Sequence, residues 1–199
     1  YTFGAEGQLH AFALADGTLY VGGTFTTIGG QARNQLAALD AATGNVMSWD
    51  PQLASVERTP EVRAIVVSED VVYIGGGFDQ IGNQGRQHLA AIERTTGQAT
   101  AWTPWTPFIP EALVTVNALA RCGNTLYVGG AFNTINQTAR NFLGAVDTLK
   151  VTNNLTAWDP NADGPIYAIA VLCDTIYVGG DFTHIGGQSR NGLAALDAS

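Results

Sequence analysis

Charge is the first thing this chain is short of. Only 13% of its 199 residues are charged, and 17 acidic side chains outweigh 9 basic ones, for a formal net charge of −8. A nucleic-acid ligand wants a basic face for its phosphates, and so does an anionic membrane surface, so both are disfavoured as partners. Sparse charge beside 46% apolar residues also excludes a disordered chain and leaves room for one domain with a sizeable core. No apolar run approaches the roughly 20 residues that cross a bilayer, so no membrane span is expected. No basic stretch leading into an apolar one opens the chain, so no signal peptide is read in it. Helical periodicity with caps is missing throughout, which points to an all-β fold. Catalytic motifs are missing as well: there is no HExxH, GxSxG, P-loop or CxxC, and His10, His88 and His184 share no motif spacing. No enzyme activity, catalytic residue, cofactor or metal is expected.

What the chain does have is glycine, 24 in all, and a repeat. Leu19-Tyr20-Val21-Gly22-Gly23 returns as Val72 to Gly76, Leu126 to Gly130 and Ile176 to Gly180. The steps from Gly22 to Gly75, Gly129 and Gly179 are 53, 54 and 50 residues. A period near fifty signals repeat architecture. Around this run each copy holds an earlier alternating stretch with a repeated alanine (Ala11, Ala64, Ala118, Ala168). A later apolar stretch closes on Asp40, Glu93, Asp147 or Asp197, and a fourth ends on Trp49, Trp102 or Trp158. Period-two alternation between Gly- and Asn-rich turns reads as four short strands per copy. The second strand is apolar on both faces, so each sheet needs a neighbour on both sides, which radial stacking supplies. Alanine would then lie innermost, where sheets converge, and tryptophan outermost, where bulk is needed. The glycine pair suits a bulge or a close backbone approach.

A Tyr-x-Gly-Gly run, an apolar strand closing on Asp40, then Thr43-Gly44 and Trp49 resembles the kelch repeat. With Phe25, Ile28, Arg33, Asn34 and Trp49-Asp50-Pro51, the unit is similar to repeats in secreted bacterial propeller proteins and in fungal cortical markers of cell polarity. The resemblance implies a single β-propeller domain or segment of four-stranded antiparallel blades, at about residues 9–53, 62–113, 116–160 and 166–199, with 1–8 as the tail of an outer strand. It also implies a secreted or cell-surface location and a non-catalytic binding or scaffold role. Rival readings are a lectin-like propeller, a self-assembling surface protein joined through its incomplete terminal blade, and, last, a hydrolase or oxidase on the same frame. The copies depart from the pattern where Glu93 replaces Asp and where Lys150 to Asn154 replaces Thr-Gly.

Candidate sites follow from the alignment of copies. Arg33, Arg86, Arg140 and Arg190 recur seven residues before the acidic strand end. They could bind an anion, but a charge at one place in every blade reads first as a loop tie, beside the repeated Trp49, Trp102 and Trp158. The loop after each glycine pair keeps its Phe and Ile but varies between them, and Thr27, Gln80, Thr134 and His184 are candidate ligand contacts for a protein or glycan partner. Trp105 and Phe108, in a Pro-rich connection, could stack on a sugar or cover a blade edge. Asp159-Pro-Asn161-Ala-Asp163-Gly164 has the oxygen spacing that starts a calcium loop, but it lacks the closing glutamate and reads as a turn. Cys122 and Cys173 sit in matching turns of adjacent copies, and either a disulfide or two buried thiols fits them. Asn136 and Asn154 open glycosylation sequons.

Overall fold

The computed structural model describes residues 4–56, 58–104 and 114–198. They divide into two compact units, Tyr1–Ala101 and Trp102–Ser199. Among the described residues there is no helix, and none long and apolar enough to cross a membrane.

Each unit holds two copies of one antiparallel sheet. In the first sheet Leu9–Ala15, Thr18–Gly23 and Leu36–Asp40 pair in that order, with the Tyr-Gly-Gly strand in the middle. The second sheet orders Glu61–Val67, Val71–Gly77 and Leu89–Glu93 in the same way. The second unit repeats this with Thr115–Cys122, Thr125–Ala131 and Leu143–Asp147, then Ile166–Leu172, Thr175–Gly180 and Leu193–Asp197.

The glycine pair has two separate jobs. The first strand of every sheet carries a bulge, at Leu9/Ala11, Val62/Ala64, Val116/Ala118 and Ile166/Ala168. The bulge brings a carbonyl against the second glycine: a Cβ at Gly23, Gly76, Gly130 or Gly180 would overlap the carbonyl oxygen of Gln8, Glu61, Thr115 or Pro165. In the first sheet of each unit the first glycine faces the second sheet. A Cβ at Gly22 would come within 2.5 Å of Val62 Cγ1, and one at Gly129 within 2.6 Å of Ile166 Cγ2. Sheets therefore pack face to face at their first and second strands, with side chains of the later sheet filling the hollow above the glycine.

That packing makes the core. In the first unit Tyr20, Leu36 and Ala38 of one sheet meet Val72, Ile74, Ala90 and Ile92 of the next. In the second unit Tyr127, Leu143 and Ala145 meet Ile176, Val178 and Ala194. Each fully buried aliphatic side chain contributes about 1.5–3 kcal/mol of transfer free energy.

Among the described residues the expected fourth strand is not formed. The third strand's outer edge makes only single bridges, Leu39↔Val46, Ile92↔Ala99 and Val146↔Leu155, so the sheets are three-stranded rather than four-stranded. Two features stop the ladder. The carbonyls of Met47, Thr100 and Thr156, next in line to accept, are taken by the guanidinium groups of Arg33, Arg86 and Arg140. Pro51, Pro104 and Pro160, two residues past each tryptophan, have no N–H to give.

The loop after the glycine pair also differs from expectation, because it contains a two-residue hairpin. Thr27–Ile28 pairs with Gln31–Ala32, Gln80–Ile81 with Gln84–Gly85, Thr134–Ile135 with Thr138–Ala139, and His184–Ile185 with Gln188–Ser189. Three of the tips hold two residues at positive φ or a Gly-Asn pair: Gly29-Gly30, Gly82-Asn83 and Gly186-Gly187. The other uses Asn136 at 48° and Gln137 at 63°. This backbone is the one that a tight two-residue hairpin demands.

Candidate functional site

Each hairpin is a small platform with a buried root and a variable top. Its root is a Phe and an Ile: Phe25 and Ile28, Phe78 and Ile81, Phe132 and Ile135, Phe182 and Ile185, all between 0% and 4% exposed. Thr27, Gln80, Thr134 and His184 each open the first hairpin strand. The first three are half-buried and His184 is exposed. Behind the hairpin a residue at positive φ carries the chain into the third strand, namely Gln35, His88, Phe142 or Gly192. Its N–H donates to the root phenylalanine's carbonyl, and its carbonyl accepts from the second glycine of the pair. The platform is thus fixed from below by backbone bonds that do not depend on the residues on top.

The repeated arginines brace the same platform. Arg33 Nη1 donates to its neighbour Ala32, and Nη2 donates to the Met47 carbonyl at 2.7 Å. Arg86 and Arg140 repeat this on Gly85 and Thr100, and on Ala139 and Thr156. Arg140 adds a 3.4 Å ion pair to Asp159. Arg190 donates instead to the carbonyl of Ala195. Each guanidinium thus reaches at least one main-chain oxygen, and Arg33, Arg86 and Arg190 also donate to the side-chain oxygens of Gln31, Gln84 and Gln188.

Trp49 and Trp158 tie the two sheets of their own units. Trp49 meets Tyr20 edge-on at 5.2 Å and donates to the Glu93 carbonyl of the next sheet at 3.0 Å. Trp158 does the same with Tyr127, at 5.1 Å, and with Asp197. Trp102 donates to Asp147.

Two polar clusters stand beside the platforms. In the first unit the Asp79 carboxylate accepts from Ser55 Oγ at 2.8 Å and from the Val56 N–H at 3.0 Å. Nearby, Arg58 Nη2 donates to Nδ1 of His88, 5% exposed, at 3.2 Å. Burial, with the Arg58 charge, pushes the His88 imidazole down to about 4. In the second unit Asp163 accepts from the Thr183 hydroxyl at 2.6 Å and from the N–H groups of Thr183 and His184. The Thr183 hydroxyl first, then those amides, hold its carboxyl well below the usual carboxylate range. Thr183 Oγ1 and Asp163 Oδ2 both approach the same ring nitrogen, Nδ1 of His184. A catalytic relay needs the nucleophile on one imidazole nitrogen and the orienting carboxylate on the other. This arrangement instead caps a hairpin.

The calcium-like spacing resolves into three separate bonds. Asp159 pairs with Arg140, Asn161 Oδ1 accepts from Asn141, and Asp163 caps the hairpin. Among the described residues no group of three or more His, Cys, Asp or Glu side chains is placed to hold a metal ion. Cys122 and Cys173 form a disulfide, with Cα atoms 5.3 Å apart. Asn154 is 1% exposed and donates to the Lys150 carbonyl, so its sequon has no room for a glycan. Trp105 and Phe108 lie outside the described residues.

Two features went unread in the sequence. The bulge residues His10, Arg63, Asn117 and Tyr167 vary inside a constant frame, between an aliphatic residue and the repeated alanine. That contrast is their signal, since bulges re-aim a side chain. Arg63 pairs with Glu61 at 2.9 Å, Asn117 donates across to Ile166 and Tyr167 to Asp181. The second feature is a cleft of about 610 Å³ in the second unit, lined by Tyr127, Trp158, Asp159, Arg190, Leu196 and Asp197.

A family model described as a domain of unknown function (DUF5122), beta-propeller, matches residues 14–45 and 174–199. No curated protein matches the chain. Among solved structures it is similar to the computationally designed Ika4 protein, at 14% identity and a TM-score of 0.61, covering 100% of this chain and 96% of that one. It is similar also to the computationally designed Ika8 protein, at 17% identity and 0.54, covering 91% of this chain and 47% of that one. BamB from Moraxella catarrhalis follows at 17% identity and 0.47, covering 86% and 40%. Likeness at such identities is one of fold, and the fold of this chain is a β-propeller.

Proposed function

We propose that the chain is a kelch-like propeller segment of four repeats that works, without catalysis, as a binding module outside the cell. One observation carries this reading: every hairpin has an invariant buried root and a divergent top. Phe and Ile stay fixed, while Thr26-Thr27 becomes Asp79-Gln80, Asn133-Thr134 and Thr183-His184. A frame held by main-chain bonds lets the residues on top differ, some tying the preceding connection, as Asp79 and Thr183 do, and the rest serving recognition. The Cys122–Cys173 disulfide is compatible with an oxidising, extracytoplasmic compartment.

The test is binding of the labelled chain to arrays of immobilised glycans and peptides, beside a variant carrying Thr27→Ala, Gln80→Ala, Thr134→Ala and His184→Ala. Ligands that are retained by the parent chain and lost by the variant, at unchanged melting temperature, support the reading. Retention indifferent to all four substitutions, or no retained ligand at all, rejects it.

A further inference from the structure

In each unit the first of the two sheets turns one face toward the second. In the first sheet that face is Ala11, Ala13, Tyr20, Gly22, Leu36 and Ala38, paired as Ala11↔Gly22↔Leu36 and Ala13↔Tyr20↔Ala38. The third sheet carries the same six residue types in the same register. So does the fourth, as Ala168, Ala170, Tyr177, Gly179, Leu193 and Ala195. The following sheet of the unit buries the face in the first and third copies: Leu36 and Leu143 are 0% exposed, Tyr20 and Tyr127 3% and 4%. In the fourth, Leu193 is 71% exposed and Tyr177 41%. A Cβ at Gly179 would meet nothing closer than 3.8 Å, whereas at Gly22 and Gly129 it strikes the next sheet. An apolar face of this kind, uncharged and identical to faces that are interfaces elsewhere in the chain, marks an interaction surface.

The same comparison indicates what fits it. Val62 and Ile65 fill the hollow over Gly22, and Ile166 and Ile169 fill the one over Gly129. The first sheet carries Leu9 and Phe12 at those positions. Phe12 is 54% exposed and Leu14, two residues on, 69%. We infer that the fourth sheet of one copy docks the first sheet of a second copy, with Phe12 over Gly179 and against Leu193. This contact is heterologous, one face on its complement, so it propagates head to tail.

Sedimentation from low micromolar to several hundred micromolar tests it, with Leu193→Arg to charge one face and Phe12→Arg to charge the other. Both side chains are exposed, so each variant should keep the parent's melting temperature. The parent should associate as concentration rises, and each variant alone should stay monomeric. Mixed in equal amounts, the two should form a dimer and nothing larger, because each retains the face the other has lost. A parent that is monomeric throughout overturns the inference, as does a mixture that stays monomeric. Association of Phe12→Arg alone would mean that like faces pair, which overturns it too.

Discussion

The indole N–H of Trp49 and the carbonyl of Glu93, 44 residues apart in sequence, form a 3.0 Å hydrogen bond from one sheet's outer margin to the third strand of the next. The bond ends the third strand of the second sheet and holds the indole against Tyr20. Replacing Trp49 by Phe keeps an aromatic ring near Tyr20 but leaves the Glu93 carbonyl without this donor. The expected cost is about 1–2 kcal/mol, read as a lowered urea midpoint at constant slope. Trp49→Ala, which also empties the site, should cost about 3–5 kcal/mol.

Gly76, the second glycine of one pair, and Gly179, the first of another, should respond differently to a methyl group. Gly76→Ala drives a Cβ into the Glu61 carbonyl, which neither strand can vacate without losing the bulge. A loss above about 4 kcal/mol is expected, visible as failure to fold or a collapsed melting transition. Gly179→Ala makes only ordinary contacts, at 3.8 Å to Ala168 Cβ and the Gly192 carbonyl oxygen, and should be neutral or up to about 1 kcal/mol stabilising when measured at low concentration.

Much of this was legible beforehand. Tyr20 and Gly22 alternate with Leu19 and Val21, and that alternation alone requires cover on both faces of the sheet. Third-strand bounds at Leu36–Asp40 follow from an apolar run that ends on an acid. What could not be read was anything decided by partners far along the chain. Nothing near Met47 announces that its carbonyl belongs to Arg33, so the stretch up to Trp49 looked like a fourth strand. The hairpin strands after the glycine pairs are two residues long, too short to show an alternating pattern, and at Asn136-Gln137 the tip also lacks glycine. The Cys122–Cys173 pair was undecided because only geometry separates a bridge from two thiols.

Reducing that bridge removes a link between residues 51 apart. A loop of this size should contribute about 2–4 kcal/mol by restricting the unfolded chain. Urea melts with and without a phosphine reductant will read it, and Cys122→Ser should respond to reductant no further.

His88 should make stability depend on mild acid. Its folded value lies near 4 against an ordinary 6.5, so on acidification the unfolded chain takes up its proton first. The stabilisation is complete above pH 6.5 and is lost progressively as pH falls toward 4, by on the order of 3 kcal/mol. His88→Gln should flatten that slope while keeping the fold, because Gln35 holds the same left-handed position at φ 60°. An unchanged slope would assign the acid sensitivity to other groups.

The six-residue face shared by the first, third and fourth sheets has a consequence on the timescale of genomes. When the same face joins the two sheets inside each unit, a stretch of DNA encoding a repeat can be duplicated, excised or transposed onto a joint built of the same residue types. The number of repeats can then change, while the hairpin tops diversify within the limits of their own contacts, such as the pairing of Gln80 with Ala54.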